Sequence, residues 1–177
     1  MSGTVLVTGG AGYIGSHACV TLLGAGYTVV VLDNLCNSSR LAIDRVAQIA
    51  GSSPVFVEGD VRDGRCLDQL FTEHGICAVL HFAGLKAVGE SVDLPLQYYD
   101  SNVAGSLTLL AAMQRAGVNR LVFSSSATVY GDPVSVPIRE DSGTAPTNPY
   151  GRTKLMVEEI LADWQVANPD WGIARLR

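Results

Sequence analysis

The chain has 177 residues, the length of about one domain. Its 12 Lys and Arg residues against 17 Asp and Glu give a formal net charge of −5, which argues against a surface for nucleic acids or anionic membranes. Hydrophobic residues make up 47% of the sequence, which predicts a folded core, but no apolar run approaches the roughly 18 residues of a membrane-spanning helix.

Short runs rich in β-branched residues alternate along the chain with longer segments of helical periodicity. The predicted strands are Thr4–Thr8, Thr28–Leu32, Pro54–Glu58, Ala78–Phe82, Arg120–Ser124 and Gly172–Leu176. The predicted helices are Gly12–Leu23, Arg40–Ala50, Asp63–His74, Leu94–Ala116 and Tyr150–Ala167. Because the strands are almost continuously apolar and alternate with helices, the pattern predicts an α/β fold: a Rossmann-like, doubly wound parallel sheet of about six strands with helices on both faces.

These six units use the whole length, so the sequence predicts a single domain over residues 1–177. The proline-containing segment Thr128–Asn148 lacks helical periodicity and is predicted to be a long loop, which is often functional. The chain stops within a predicted strand at Arg175–Arg177. We therefore expect a polypeptide that is cut at its carboxyl end and lacks a substrate domain.

The four cysteines form neither a CxxC pair nor a zinc-like cluster with the three histidines. The sequence therefore predicts no metal site. Its first residues also lack the pattern of a secretory signal, and with unpaired thiols this favours the cytoplasm.

Three regularly spaced glycines follow the first predicted strand, namely Gly9, Gly12 and Gly15. Between a strand and a helix, such glycines allow a tight turn, close approach of the backbone to a pyrophosphate and close helix packing. The free N–H groups at the start of the helix also favour phosphate. The segment is therefore predicted to be a dinucleotide-binding loop. The helix after it is predicted to face the sheet with every fourth residue: Ile14, Ala18 and Leu22.

An acidic residue, Asp33, follows the second predicted strand, eighteen residues after Gly15. A carboxylate at this point accepts hydrogen bonds from the adenosine ribose and repels a 2′-phosphate. The first basic residue after it is Arg40, so the sequence favours NAD over NADP. Asp33 also suits a turn within Asp33–Ser38, and Asp60, after the third predicted strand, suits a turn equally well.

Hydroxyl and amine groups are predicted to meet at the carboxyl end of the sheet. Ser124–Ser126 ends the fifth predicted strand, and Tyr150 and Lys154 share one side of the last predicted helix. A phenol titrates near about pH 10, and an adjacent ammonium favours its ionised form. This arrangement predicts a phenolate base with a serine hydroxyl that holds the substrate oxygen, although Tyr and Lys four residues apart also occur by chance.

These motifs resemble those of the extended short-chain dehydrogenase/reductase family. Three longer segments resemble most closely the nucleotide-sugar 4-epimerases of that family: VTGGAGYIGSH at 7–17, HFAGLKAVGES at 81–91 and FSSSATVYG at 123–131. The resemblance covers the whole chain and corresponds to the amino-terminal, NAD-binding portion of the family. It implies bound NAD and interconversion of UDP-glucose and UDP-galactose through a 4-keto intermediate.

The resemblance also implies roles for individual residues. Tyr150 would be the catalytic base, Lys154 would support it and bind the nicotinamide ribose, and Ser126 would bind the sugar O4. The implied cofactor contacts are Gly9, Gly12, Tyr13, Ile14, Gly15, Asp33, Asn34, Leu35, Cys36, Asn37, Ser38, Asp60, Val61, Phe82, Ala83, Gly84, Leu85, Lys86, Asn102, Ser126, Tyr150 and Lys154. The implied substrate contacts are Lys86, Ser126, Ala127, Thr128 and Tyr150.

Other functions within and outside the family stay open. The 4,6-dehydratases use an acidic pair where this sequence has Ala127 and Thr128, which disfavours them. An epimerase of N-acetylated UDP-sugars and a non-catalytic NAD-binding domain remain alternatives, although Ser126, Tyr150 and Lys154 together favour an enzyme. The family resemblance implies a UDP-sugar substrate and a homodimer for full-length members. We expect little epimerase activity from these 177 residues alone, and their oligomeric state is left open.

Overall fold

The structure is a computed structural model that describes residues 3–177. Six parallel strands form one sheet at its centre. The strands are β1 (Thr4–Thr8), β2 (Thr28–Asp33), β3 (Val55–Glu58), β4 (Ile76–His81), β5 (Arg120–Ser124) and β6 (Gly172–Leu176). Their order across the sheet is β3-β2-β1-β4-β5-β6. The strands β2 and β3 lie on one side of β1, and β4, β5 and β6 lie on the other. Because the order of the strands reverses at β1, a crevice opens beyond the carboxyl ends of β1 and β4.

Seven α-helices connect these strands, with a π-helical segment (Tyr99–Ala104) and a 3₁₀ turn (Ala127–Tyr130) between them. The helices are α1 (Tyr13–Gly24), α2 (Arg40–Ala50), α3 (Gly64–His74), α4 (Val88–Asp93), α5 (Pro95–Tyr98), α6 (Gly105–Ala116) and α7 (Pro149–Ala167). Ser39, Asp63 and Asn148 begin α2, α3 and α7, since their side chains accept hydrogen bonds from first-turn N–H groups. In the described part of the chain, no helix combines the length and apolar character needed to span a membrane.

The core has two layers because successive residues of a strand point to opposite faces of the sheet. Leu6 and Val79 pack under α3, α6 and α7, whereas Val5 and Val7 pack under α1 and α2. Helices therefore cover both faces, and the predicted doubly wound parallel sheet is confirmed.

The helix predicted over Leu94–Ala116 is confirmed as an unbroken helical segment from Pro95 to Ala116, but it is not α-helical throughout. The structure divides this segment into α5, the π-helical segment and α6. The π-helical turn carries Asn102, whose buried side chain bonds Leu85 and Thr153. A widened turn often marks a functional position, and these contacts between distant segments leave no trace in the helical periodicity.

Two further details differ from the prediction. The predicted loop Thr128–Asn148 begins inside the 3₁₀ turn, because the Ser126 side chain accepts the Thr128 N–H and caps that turn. On α1, Ile14 is 58% exposed, and the buried residues are Gly15 and Cys19. The start of α1 packs closely on the glycine loop, which turns Ile14 away from the sheet.

We expect Gly15→Ala to destabilise the protein by about 1–3 kcal/mol, since overpacking has a cost of this order. A Cβ atom at Gly15 would overlap the Gly9 carbonyl oxygen and come within 2.8 Å of the Gly10 Cα. At Gly24, in the same helix, a Cβ atom would meet no heavy atom within 4 Å. Gly24→Ala is therefore the matched control, with an expected change below about 1 kcal/mol. Urea denaturation measures both, and equal effects would contradict the close-packing argument.

Candidate active site

A groove runs along the carboxyl ends of the strands, with an empty volume of about 1200 Å³. It brings together most of the predicted site residues: Gly9, Gly12, Tyr13, Ile14, Gly15, Asp33, Asn34, Cys36, Asn37, Ser38, Asp60, Val61, Phe82, Ala83, Gly84, Leu85, Lys86, Ser126, Tyr150 and Lys154. The predicted residues outside this lining are Leu35, Asn102, Ala127 and Thr128.

The glycine loop lines the groove next to the segment that follows β4. Gly9 has a φ of +70°, and a Cβ atom there would lie 2.6 Å from the Ala83 nitrogen. Only glycine combines this backbone conformation with so close an approach of two chain segments. In the described chain, no side chain caps α1, and its first turn carries no acidic residue. The N–H groups at the start of α1 are therefore available to an anion in the groove.

Asp33, at the end of β2, connects the glycine loop to the turn that follows it. Its carboxylate accepts hydrogen bonds from Ala11 N (2.9 Å), Leu35 N (3.0 Å) and Ser38 Oγ (2.7 Å). A carboxylate has about four acceptor positions, so one remains for a ligand. The two interpretations of Asp33, turn residue and ligand partner, are therefore compatible. Arg40, the nearest basic residue after it in sequence, packs against the Phe56 ring and does not line the groove.

Leu35, which is predicted to contact the cofactor, lies outside the groove lining. Its φ of +57° lets the chain turn at the end of β2, and its side chain packs against the core between the sheet, α1 and α2. The structure therefore places Leu35 beneath the groove. A left-handed leucine is uncommon, and the periodicity of a sequence cannot indicate it.

A second carboxylate, Asp60, lies at the end of the groove near β3. Arg62 binds both of its oxygens, at 2.8 and 2.7 Å, and also Asp100, at 2.5 Å. Asn34 donates to the same carboxylate at 2.9 Å. The hydrogen bonds from Arg62 hold the pKa of Asp60 well below its usual value. The group is thus a fixed negative charge at this end of the groove.

The opposite end of the groove carries Lys154, whose side chain is buried against β5. Its Nζ donates to the Ser124 carbonyl oxygen at 2.7 Å and lies 4.8 Å from the centre of the Phe123 ring and 6.0 Å from that of Tyr150. The ion pairs within residues 3–177 do not include it. Burial lowers the pKa of Lys154 to about 8. Tyr150 is in the first turn of α7 because Asn148 caps the helix there.

Ser126 has one remaining hydrogen-bonding capacity. Its Oγ accepts from Thr128 N at 3.2 Å and from Thr128 Oγ1 at 2.9 Å. A hydroxyl has two acceptor positions and one proton, so Ser126 has its proton left to donate into the groove. Ala127 and Thr128, the neighbouring residues that are predicted to contact the substrate, lie outside the groove lining, and their contact with a substrate stays a prediction.

Asn102 lies behind the groove lining instead of in it. Its side chain accepts from Leu85 N at 2.8 Å and donates to Leu85 O at 3.0 Å and Thr153 Oγ1 at 3.0 Å. It thus connects the segment Phe82–Lys86, which lines the groove, to α7. This long-range tie depends on tertiary structure, and the helical pattern around Asn102 does not indicate it.

The groove is also lined by residues that were not predicted to contact a ligand: Leu32, Gly59, Ser101 and two members of the predicted serine run, Ser124 and Ser125. All but Ser101 lie at or just beyond the carboxyl end of a strand, and the rule that ligands bind there could have found them. Ser125 also donates to Glu158, whose carboxylate binds Arg177 at 2.5 Å. Burial raises the pKa of Glu158, but the hydrogen bonds from Arg177 and Ser125 outweigh this and hold it below its usual value.

The cysteines and potential metal ligands contribute no further site. All four cysteines are free thiols, and burial raises the pKa of the Cys19 thiol to about 12. Across residues 3–177, no three or more His, Cys, Asp or Glu side chains are grouped as a metal ion would require.

Known proteins resemble this chain closely. The UDP-glucose 4-epimerase of Bacillus subtilis is 57% identical over 173 residues, and that of Dictyostelium discoideum is 56% identical over 173 residues. Each alignment covers 98% of this chain and 51% or 50% of the relative. The chain therefore spans about half the length of the curated relatives that it matches.

Solved structures give the same picture. A UDP-glucose 4-epimerase from Stenotrophomonas maltophila, with bound NAD and formylated UDP-arabinopyranose, superimposes with a TM-score of 0.96 at 57% identity, covering 98% of this chain and 52% of that one. The UDP-Glc/GlcNAc 4-epimerase of Campylobacter jejuni superimposes with a TM-score of 0.94 at 40% identity, covering 99% and 53%. The family model described as the NAD dependent epimerase/dehydratase family matches residues 5–177. On this match over almost its whole length, the chain belongs to the NAD dependent epimerase/dehydratase family.

Proposed function

We propose that this protein binds NAD in the groove and interconverts UDP-glucose and UDP-galactose. The observation that carries the proposal is the position of Ser126, Tyr150 and Lys154: they line the same groove as Gly9 and Asp33. A dinucleotide that extends from the glycine loop would thus end beside a hydroxyl, a phenol and an amine. The named epimerases that resemble the chain support the choice of substrate.

The groove residues fit NAD along its length. The uncapped start of α1 suits the pyrophosphate, because its N–H groups carry a partial positive charge. The free acceptor position of Asp33 suits a ribose hydroxyl, and its charge disfavours the 2′-phosphate of NADP. Lys154 is placed to bind the second ribose, next to Tyr150.

The chain's own residues then handle one proton. Ser126 donates its free hydrogen to the sugar O4 and holds that oxygen near Tyr150. The Tyr150 phenolate takes the proton of the C4 hydroxyl, and the Lys154 ammonium supplies nearby positive charge. NAD+ held in the groove would supply the acceptor for the hydride of the same carbon, and its reduced form would supply that hydride to the opposite face of the resulting ketone. The proton returns from Tyr150 to O4, so the reaction involves no net oxidation.

The proposal also covers the compartment, the metabolic role and the assembly of the enzyme. We place the enzyme in the cytoplasm and in galactose metabolism, because its thiols are all free and its named relatives act on UDP-glucose. A homodimer at the natural length of the protein completes the proposal.

Replacing the Tyr150 hydroxyl separates an enzyme from a domain that only binds NAD. We expect Tyr150→Phe to keep NAD+ affinity within about twofold and to slow the reduction of bound NAD+ by UDP-galactose by at least about 100-fold, because the base is lost. Calorimetry measures the binding, and nicotinamide fluorescence measures the reduction, in the protein at its natural length.

Tyr27→Phe is the matched control, since Tyr27 is exposed and does not line the groove. Tyr27→Phe should change neither the NAD+ affinity nor the rate at which UDP-galactose reduces bound NAD+. Undiminished reduction in Tyr150→Phe would reject Tyr150 as the base, and NAD binding without any reduction in the unchanged protein would favour the non-catalytic alternative.

Asp33 is expected to set the choice between NAD+ and NADP+. The unchanged protein should bind NADP+ about 100-fold more weakly than NAD+, and Asp33→Asn should narrow the ratio to about tenfold, because the repulsive charge is gone. Asp44→Asn removes the same charge from an exposed position on α2 and is the control. An unchanged ratio in Asp33→Asn, measured by calorimetry with both nucleotides, would assign Asp33 to the turn alone.

The buried amine predicts a pH dependence of stability. Burial lowers the pKa of Lys154 from 10.5 to about 8, so between these values the unfolded chain holds more protons than the folded one. The contribution of Lys154 to the free energy of unfolding is therefore fully present above pH 10.5 and lost as the pH falls through 8. As the pH rises across that window, we expect the free energy of unfolding of the unchanged protein to increase by up to about 3 kcal/mol relative to that of Lys154→Met.

Urea denaturation of the variant pair at several pH values measures this difference. Lys86→Met, at an exposed position of the groove, is the control and should give a difference that does not vary across the same window. A constant difference for Lys154→Met as well would mean that the amine is solvated in the folded protein.

A further inference from the structure

A continuous chain of buried hydrogen bonds lies beneath the groove, and the proposed chemistry does not use it. Thr8 Oγ1 lies 2.7 Å from His81 Nδ1, and His81 Nε2 lies 2.9 Å from Ser106 Oγ. Ser106 Oγ donates to the Asn102 carbonyl oxygen at 2.5 Å. All four residues are at most 4% exposed. The chain joins β1, β4, α6 and the π-helical segment below the glycine loop.

The direction of these bonds follows from the last one. Ser106 has a single hydroxyl proton, which it gives to the Asn102 carbonyl. His81 Nε2 must therefore donate to Ser106, and Nδ1 of the neutral ring must accept the Thr8 proton. The surroundings thus select one tautomer of His81. Burial lowers the pKa of His81 to about 3, and the nearby Lys154 charge adds to this.

The same direction continues from Asn102 to the groove. Its amide donates to Thr153 Oγ1 at 3.0 Å, and Thr153 Oγ1 donates to the Tyr150 carbonyl at 2.7 Å. The other bonds of that amide hold Leu85, in the segment that lines the groove. Ser106 thus bonds the backbone of Asn102, and the side chain of Asn102 bonds both Leu85 and α7, so a change at His81 would be transmitted to these two segments through Ser106 and Asn102.

We propose that His81 is a positioning residue: in its neutral Nε2–H form it orients Ser106, which fixes Asn102 and so sets the places of Leu85 and Tyr150 in the groove. His81 itself does not line the groove. A residue that only filled space at the end of β4 would need no polar partner on either side, whereas both ring nitrogens have one. The effect on catalysis rests on the proposed epimerase function, but the effect on Leu85 does not.

The test compares bond-breaking variants with a matched control on α6. His81→Leu removes the donor to Ser106, and Ser106→Ala removes the bond to Asn102. His81→Gln is the conservative variant, because its amide nitrogen reaches the position of Nε2. Thr108→Ala is the control: Thr108 Oγ1 donates to Ala104 O at 2.9 Å, the same bond between residues four apart, but at a half-buried position away from His81 and Asn102.

The first readout is hydrogen exchange of the Leu85 amide, which donates to Asn102 and reports on its position without any activity. We expect Leu85 to exchange about tenfold faster in His81→Leu and Ser106→Ala, relative to the amides of β2, and to be unchanged in His81→Gln and Thr108→Ala. The β2 reference removes any general loss of stability. Equal acceleration of Leu85 and β2, or the same effect in Thr108→Ala, would overturn the proposal.

The second readout is steady-state epimerase kinetics of the same variants, measured like those of Tyr150→Phe in the protein at its natural length. We expect kcat to fall about tenfold in His81→Leu and Ser106→Ala with KM for the UDP-sugar within about threefold, since the base is displaced while the binding contacts remain. His81→Gln should recover most of the loss. If the unchanged protein lacked epimerase activity, the proposed function would fail while the exchange data still decided the role of His81. Unchanged kcat in both bond-breaking variants of an active enzyme would reject that role.

Discussion

The close approach of Gly9 to the start of the Phe82–Lys86 segment determines the geometry above the sheet. Gly9 has a positive φ, and its Cα lies so near the Ala83 backbone that no side chain would fit between them. The glycine loop and the segment after β4 therefore form the two walls of one crevice at the reversal of strand order. The remaining site features are arranged along this crevice, and the uncapped start of α1 depends on the same close packing at Gly15.

Charge along the groove is distributed by burial and pairing. At one end, Asp60 is held ionised by Arg62 and can only accept hydrogen bonds. At the other end, burial lowers the pKa of Lys154 to about 8, although a carbonyl oxygen accepts from its Nζ and the Phe123 ring lies beside it. A buried charge without a counterion destabilises a fold, and such groups concentrate at functional sites. Lys154 fits that pattern, because the ion pairs of residues 3–177 do not include it.

Residues that touch the groove and residues that hold them belong to different parts of the fold. Ser126 lines the groove, whereas Thr128 occupies its acceptor positions and leaves its proton for a ligand. Likewise Leu85 lines the groove, whereas Asn102 fixes it from behind. His81 lies one step further back, at the junction of β1, β4 and α6. The residues behind the groove thus bond the residues that line it, and Ser126 keeps its proton for a ligand.

The sequence by itself determined the alternation of strands and helices, the parallel sheet covered on both faces, and the motifs at Gly9–Gly15, Ser124–Ser126 and Tyr150–Lys154. These features are local, because apolar periodicity and the spacing of glycines are properties of short segments. Only the tertiary structure decided that Leu35 packs below the groove, that Asn102 ties Leu85 to α7, and that the segment 94–116 contains a π-helical turn. Those outcomes depend on contacts between residues distant in the chain, where buried polar groups must find partners, and no pattern within a single segment contains that information.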